Sequence, residues 1–492
     1  MPNETRNFTL PVFLMNIDGT TFFVICILLL IVGHFTYGRV IEKIFRPKAS
    51  RITPAIASPD GVDYVPLPGW KIFFIQLLNI AGLGPVYGAI LGALYGPIAL
   101  LWITFGCILG GAVHDYLAGM ISLRHGGISL PEIIGRYLGK SAKFSVRYLC
   151  ISLIVLVGVV FALGPAELLG QTLGGSSILW ATIIFIYYFA ATVLPMDTII
   201  GRIYPFFAVC LVLMAGSMLG ALFMTEGGIM PDCTLSLNQH PGGLPIWPML
   251  FITIACGAIS GFHATQSPMM ARCMKSEMQG RSVFFGPMIT EGIIALIWCA
   301  AGLTFYKTPE AMNAAIVAGG AGKVVFDSSG DMLGHTGRIL AVIGVVVLPI
   351  TSGDTALRSA RLMIADSLHL SQKKISPRLF IAVPLLAICL AITAIDFDVI
   401  WRYFGWLNQC IACFTLWAIA VFLRRSGRFH WVASLPAIFL TAVCITYGFI
   451  DKNCLNLPHA PSAIVATLIA ISLIFVLLYR VRPFRRSHPH QN

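Results

Sequence analysis

Phe73-Phe74-Ile75-Gln76-Leu77-Leu78-Asn79-Ile80-Ala81-Gly82-Leu83-Gly84-Pro85-Val86-Tyr87-Gly88 is apolar enough to lie inside a bilayer, yet Gly82, Gly84 and Pro85 interrupt its middle. Glycine weakens a helix, and proline removes a backbone donor from it. In hydrocarbon each freed backbone group costs several kcal/mol unless protein or water satisfies it. A break of this kind is therefore tolerated mainly where it lines a cavity. A second stretch has the same character: Ile252-Thr253-Ile254-Ala255-Cys256-Gly257-Ala258-Ile259-Ser260-Gly261-Phe262-His263.

Outward from these two stretches, apolar runs recur along the whole chain. They suggest about thirteen transmembrane helices, near 20–37, 71–92, 97–121, 145–168, 177–196, 203–224, 246–264, 283–306, 336–353, 378–396, 399–423, 430–450 and 462–480. Each approaches the roughly 20 residues that a helical crossing needs. The composition agrees, with 57% hydrophobic and 11% charged residues and a mean hydropathy of +0.84. A soluble globular chain carries roughly 25% charged residues. The fold class is an all-α polytopic membrane protein without a soluble domain.

The formal charge of +12 invites a nucleic-acid reading. Its placement argues against that. With the N-terminus outside, all but Arg6, Lys307, Lys323, Arg338, Arg402 and Lys452 of the 33 lysines and arginines fall on the cytoplasmic side. That asymmetry is the positive-inside rule, and it favours an odd number of spans. The expected surroundings are a lipid bilayer and a small-molecule substrate, with no nucleic acid and a cytoplasmic C-terminus. The first run, Thr21 to Gly38, reads as a retained span because its positive cluster follows it.

The interrupted spans are the second and the seventh, so four intact spans separate them. Each opens a block of five helices, and an odd block places the second half upside down relative to the first. Matching broken helices in two inverted halves point to a transporter binding site. The expected repeats are 71–224 and 245–424, with a peripheral N-terminal region 1–70 and two peripheral helices in 425–492. This plan resembles the LeuT-like five-plus-five architecture, in which half-helix amide ends hold an anionic substrate group and freed carbonyls hold a cation.

Particular motifs resemble a narrower group, the carbon starvation protein A (CstA) family. The matching stretches are Asp60-Gly61-Val62-Asp63-Tyr64-Val65-Pro66, Ala81-Gly82-Leu83-Gly84-Pro85 and Gly110-Gly111-Ala112-Val113-His114-Asp115. Asp197-Thr198-Ile199-Ile200-Gly201-Arg202-Ile203-Tyr204-Pro205, Ala255 to His263, Thr351-Ser352-Gly353-Asp354-Thr355-Ala356 and Trp401-Arg402-Tyr403-Phe404-Gly405-Trp406-Leu407-Asn408-Gln409 follow in order. The resemblance implies a short-form member in the bacterial plasma membrane. It also implies peptide or pyruvate uptake during nutrient starvation and a place in the amino acid–polyamine–organocation superfamily.

The expected substrate contacts are Ala81, Gly82, Gly84, Pro85, Gly257, Ser260, Gly261 and His263, in and beside the breaks. Glu291 lies roughly 12 Å into its span at 1.5 Å per residue, and an ionisable group at such depth is a functional candidate. It joins His114 and Asp115 as a candidate for proton coupling. His114 and Asp115, adjacent in sequence, point different ways on a helix and do not form a ready-made dyad. Thr351 and Ser352, with carbonyls freed around Asn79 to Gly82, suit an all-oxygen Na⁺ site. Na⁺ or H⁺ is thus the expected coupling ion, and no other cofactor is expected. Asp197 with Arg202, Asp354 with Arg358, and Asp396 and Asp398 with Arg402 read as ion-pair latches, gates or caps.

The 13 cysteines form no disulfide framework and no metal spacing. Cys233 and Cys454 are exceptions that fall in external connections, where a disulfide could persist if the fold brings them together. Glycines spaced as at Gly106/Gly110 and Gly216/Gly220 mark close helix contacts within or between chains. Gly139-Lys140-Ser141 lacks the upstream glycine of a nucleotide-binding loop, so no enzyme or primary pump is expected. An ion channel or a sensor that binds without transport is the alternative, and flux into liposomes separates the three.

Overall fold

The computed structural model describes residues 16–482 apart from 62–63, 194–195, 235–237, 371 and 373. Helix α1 (Gly19–Phe35) continues into α2 (Tyr37–Phe45). Helices α3 (Gly69–Ile80) and α4 (Gly84–Ala93) form a pair bent by 59°. Next come α5 (Ile98–Arg124), α6 (Leu130–Leu138), α7 (Lys140–Leu173), α8 (Ser177–Val193) and α9 (Met196–Met224). A second interrupted pair follows, α10 (Ile246–Thr253) and α11 (Gly261–Ala271). The remainder is α12 (Glu277–Tyr306), α13 (Pro309–Ser367), α14 (Ile375–Ile392), α15 (Phe397–Arg425), α16 (Trp431–Ile450) and α17 (His459–Arg480).

Among the described residues, ten helices are long and apolar enough to cross a bilayer singly, and the bent pair makes eleven. The thirteen suggested by hydropathy also include α8, with 17 residues, and the shorter pieces α10 and α11. Burial sorts core from rim: α12 has 89% of its apolar window buried, whereas α14 and α17 have 28% and face lipid. Helix α16, expected at the periphery, has 56% buried because it packs along α15 and α17.

The local chemistry explains both breaks. Helix α3 stops at Ala81, which leaves the helical region at φ −77° and ψ 76°. Pro85 then stands in the first turn of α4, where its missing N–H is not needed. In the other break Gly257 turns the chain at φ 86°, a left-handed conformation that favours glycine. The helix resumes at Gly261 after the extended Ser260.

The connection ahead of span nine departs from expectation. Residues 309–334, which precede the apolar run 336–353, are helical and form the first part of α13, with turns at Gly320 and Gly334. Average polarity hid an apolar face here: Met312, Val324 and Val325 are fully buried. Met312 and Val324 lie where a Cβ at Gly302 of α12 would touch them.

The glycine pairs separate likewise. Gly106 and Gly110 bring α5 against Ala258 and Ile259 of the second break, whereas Gly216 and Gly220 face open space. A π-turn at Cys107–Gly111 accompanies that approach, and a Cβ at Gly111 would lie 2.3 Å from the Ala258 carbonyl oxygen.

At the basic end, buried Glu277 gathers Arg124 (3.0 Å), Arg51 (3.2 Å) and the Lys48 amide (2.9 Å). It is the acceptor that fixes the α2–α3 loop to the start of α12. Glu277→Ala leaves the 9%-exposed Arg124 without a carboxylate partner. It is expected to destabilise the fold by about 3 kcal/mol, read as an earlier unfolding transition in detergent.

Candidate functional site

The two breaks meet. A Cβ on Gly84 would lie 2.0 Å from Cys256 Cβ, and one on Gly257 would lie 2.8 Å from Ala295 Cβ and 3.6 Å from Pro85 Cα. Gly261, the first residue of α11, backs onto Asn408 O and Ala412 N of α15, each 2.4 Å from a notional Cβ. Ala81, Gly82, Gly84, Pro85, Gly257, Ser260, Gly261 and His263 are all buried. In this conformation the junction is closed to both sides.

Charge collects beside the second break. His263 Nδ1 lies 2.8 Å from Asp115 Oδ2 of α5, and its Nε2 lies 3.3 Å from Glu291 Oε2 of α12. The latter contact is within ion-pair distance but lacks hydrogen-bond geometry, so both atoms are otherwise unpaired. Glu291 Oε1 accepts the Gly257 N–H at 3.0 Å. His114, Asp115, His263 and Glu291 are 0% exposed. Contrary to the helical-wheel argument, His114 Nδ1 also reaches Asp115 Oδ1, at 2.8 Å. Adjacent positions differ by about 100° in direction, which two side chains of this length can bridge over the helix surface.

Asn408, absent from the sequence-based candidates, ties this cluster to α15. Its Oδ1 accepts from Phe262 N at 2.7 Å and from Ser260 Oγ at 3.1 Å, while its Nδ2 donates to Cys256 Sγ at 3.2 Å. The sulfur of Cys256, His263 and Glu291 each offer a donor atom within 4.8 Å of the other two. Linear spacing gave no hint of this group, because Glu291 comes from another helix.

Helix α3 carries different polar groups. Gln76 and Asn79, three residues apart and 0% exposed, have no hydrogen-bond partner for either amide heteroatom. Helix α3 packs against α11, whose Gln266 likewise has an unpaired Oε1.

Thr351 and Ser352 of α13 do reach the first broken helix. Their hydroxyls donate to the Leu78 carbonyl at 3.3 and 2.8 Å, one residue before the carbonyls expected. Thr351 Oγ1 also lies on its own helix carbonyls, Leu348 at 2.8 Å and Val347 at 3.0 Å. Asp354, one turn further on, is 1% exposed. It accepts from Tyr187 of α8 at 2.5 Å and Tyr204 of α9 at 3.2 Å. Tyr204 touches the Thr351 carbonyl too, at 3.1 Å. Asp354 is thus held by two phenols, and Arg358 donates to the Ala191 carbonyl. The expected carboxylate–guanidinium closure is not the dominant contact, since tyrosines from other helices outcompete a same-helix neighbour.

Asp396 caps α15, accepting from Asp398 N at 2.9 Å and Val399 N at 3.4 Å, and so serves the helix end rather than a latch with Arg402. The side chains of Asp197, Arg202 and Cys233 lie outside the described residues, and Cys454 is exposed with a free thiol.

Several known proteins are similar to this chain. The profile described as "Carbon starvation protein CstA" matches residues 18–169, 164–317 and 307–447. An uncharacterized membrane protein of Haemophilus influenzae is 45% identical over 349 residues, 60% of this chain and 94% of that one. The peptide transporter CstA of Escherichia coli is 24% identical, covering 86% of this chain and 80% of its own. The pyruvate/proton symporter BtsT of the same species is 26% identical over 63% of this chain and 54% of its own. Among solved structures, a manganese transporter of Eremococcus coleocola superposes with a TM-score of 0.55 at 14% identity, over 86% and 97% of the two chains. That likeness is one of fold.

Proposed function

The chain belongs to the carbon starvation protein CstA family, and from that premise we propose that it is an ion-driven secondary carrier for a small carboxylate, pyruvate or a short peptide, in the bacterial plasma membrane. The N-terminus lies outside and the C-terminus inside. The observation that carries this reading is the contact between two discontinuous helices, Gly84 against Cys256, with buried unpaired amides beside it. Half-helix ends offer N–H groups to a carboxylate, and Gln76 and Asn79 supply the remaining polar contacts. Rocking of the block 71–224 against 245–424 exposes the junction to one side at a time. Relatives named as a peptide transporter and as a pyruvate/proton symporter support both the substrate class and proton drive.

The coupling proton resides on Asp354. Its carboxylate is buried at the joint of α8, α9 and α13, and Tyr204 links it to the helix turn that grips Leu78. Protonation weakens the two phenol bonds and loosens α13 from the helices that move past it. Thr351 and Ser352 donate their hydroxyl protons to protein carbonyls, and the choice of proton over Na⁺ rests on the relative named as a proton symporter.

Uptake of labelled pyruvate and of small peptides into proteoliposomes tests this reading. Saturable accumulation driven by an acidic exterior, and unchanged by Na⁺, is expected. Rapid conductance would instead indicate a channel, and binding without flux a sensor.

One variant separates binding from folding. Asn79→Leu removes a buried amide that makes no bond in the closed protein, and a buried unpaired polar group costs about 1–3 kcal/mol. The variant is expected to unfold later than wild type and to raise KM at least ~10-fold, because the substrate loses that partner. An unchanged KM would remove Asn79 from the binding site.

A further inference from the structure

We propose that the second break is also a binding site for a divalent transition-metal ion, ligated by Cys256 Sγ, His263 Nε2 and Glu291 Oε2. Three observations carry this. The three donor atoms lie within 4.8 Å of one another and belong to fully enclosed side chains. Tetrahedral ligands at 2.0–2.3 Å from an ion stand roughly 3.3–3.7 Å apart. His263 and Glu291 already stand at 3.3 Å, and Cys256 needs to close by about 1.5 Å at most. The second observation is that His263 Nε2 and Glu291 Oε2 have no hydrogen bond although completely buried. They face each other at 3.3 Å without hydrogen-bond geometry, and an ion between them would satisfy both where an unsatisfied buried polar group is costly.

The third observation is the outer shell. Each candidate ligand is pinned through its other side, as metal ligands commonly are. Asp115 Oδ2 holds His263 Nδ1 at 2.8 Å and orients the free Nε2 inward. The Gly257 amide holds Glu291 Oε1 at 3.0 Å and leaves Oε2 free. Asn408 Nδ2 donates to Cys256 Sγ at 3.2 Å, a contact that stabilises a thiolate. Ser260 gives its own hydroxyl proton to Asn408. The proton in the 3.4 Å Cys256–Ser260 contact is then the thiol's, and binding releases it as the metal–sulfur bond forms.

The donor set selects the ion. Thiolate and imidazole suit Zn²⁺ or Fe²⁺, whereas Na⁺, Mg²⁺ and Ca²⁺ take oxygen ligands. Three protein ligands leave one tetrahedral position open. A substrate carboxylate would complete the shell, a step that rests on the carrier reading above. Such an ion clamps the unwound backbone of the second break to α12, and through Asp115 to α5.

The test uses full-length protein in detergent, stripped with a chelator and titrated with Zn²⁺ or Co²⁺. About one equivalent of Zn²⁺ per chain is expected, with a thiolate-to-cobalt charge-transfer band in the Co²⁺ form. Cys256→Ser, close to isosteric, is expected to fold, lose that band and bind at least ~10-fold more weakly; Asp115→Asn weakens binding ~10–100-fold without changing the ligand set. Cys256→Ala, scored on its unfolding transition alongside, keeps the comparison valid if serine distorts the break. Less than about a tenth of an equivalent in the wild type, or an unaltered cobalt spectrum in both Cys256 variants, overturns the metal site. Wild type that takes up substrate without holding metal removes this inference and leaves the carrier standing. Wild type that holds metal yet moves neither pyruvate nor peptide does the reverse.

Discussion

Gly84→Ala is expected to abolish uptake and to reduce the yield of folded protein at least ~10-fold, since overpacking a tight contact costs 1–3 kcal/mol and more where backbone must move. The new methyl would stand 2.0 Å from Cys256 Cβ, 2.7 Å from its sulfur and 3.3 Å from its Cα. The sulfur can rotate, but Cβ and Cα cannot swing aside. Cys256 is short, and its backbone belongs to the unwound segment that Gly257 carries against Ala295 and Pro85. Any retreat must therefore shift the break itself. Gly82→Ala provides the contrast: its methyl meets the far edge of the Phe161 ring at 2.3 Å, and a ring can rotate. That variant should express and transport measurably. Size-exclusion profiles and liposome uptake of the two variants give the comparison, and a Gly84→Ala carrier working near wild-type rate would contradict the intimate contact of the two breaks.

Asp354→Asn is expected to lose proton-driven accumulation while keeping exchange of substrate across the membrane. The amide preserves size and leaves partners for Tyr187 and Tyr204, which lie 2.5 and 3.2 Å from the carboxylate oxygens. It cannot gain or lose a proton. With an acidic exterior the wild type binds the proton outside and releases it inside, and accumulation follows. The variant should reach only equilibrium, at least ~10-fold below the wild type, for a gradient of one pH unit corresponds to about 1.4 kcal/mol, or tenfold. The groups facing Asp354 are Tyr187 of α8, Tyr204 of α9 and Arg358 of its own helix; the side chains of 196–203 on α9 lie outside the described residues. If Asp354→Asn still concentrates substrate in response to a pH gradient, the proton is carried elsewhere and this assignment falls.

The sequence made the membrane class plain, because a crossing helix must be apolar over its whole length and each one announces itself. It also located the two breaks, since glycine and proline act on their own backbone without help from distant residues. The ionisable residues His114, Asp115, His263 and Glu291 were visible one by one for the same reason: charge inside hydrocarbon stands out. Their grouping was not visible. Gly257 and Glu291 lie 34 positions apart, and only the folding of α12 against the break makes them neighbours.

Where packing rather than composition decides, local reading went astray. The first part of α13 gives no hydropathy signal because its buried face, with Met312 and Val324, is diluted by polar neighbours. Asp354 looked like half of an i,i+4 pair because Arg358 is the partner that sequence can see, whereas Tyr187 and Tyr204 arrive from two other helices. Asn408 lies in the family-like stretch 401–409 with nothing local to mark a role, yet it joins Cys256, Ser260 and Phe262. Hydropathy and backbone propensity are properties of short segments, so the chain alone set the membrane class and where two apolar elements come apart. Which polar side chains share one enclosed space depends on contacts between segments 34 to 274 residues apart, and those exist only in the assembled bundle.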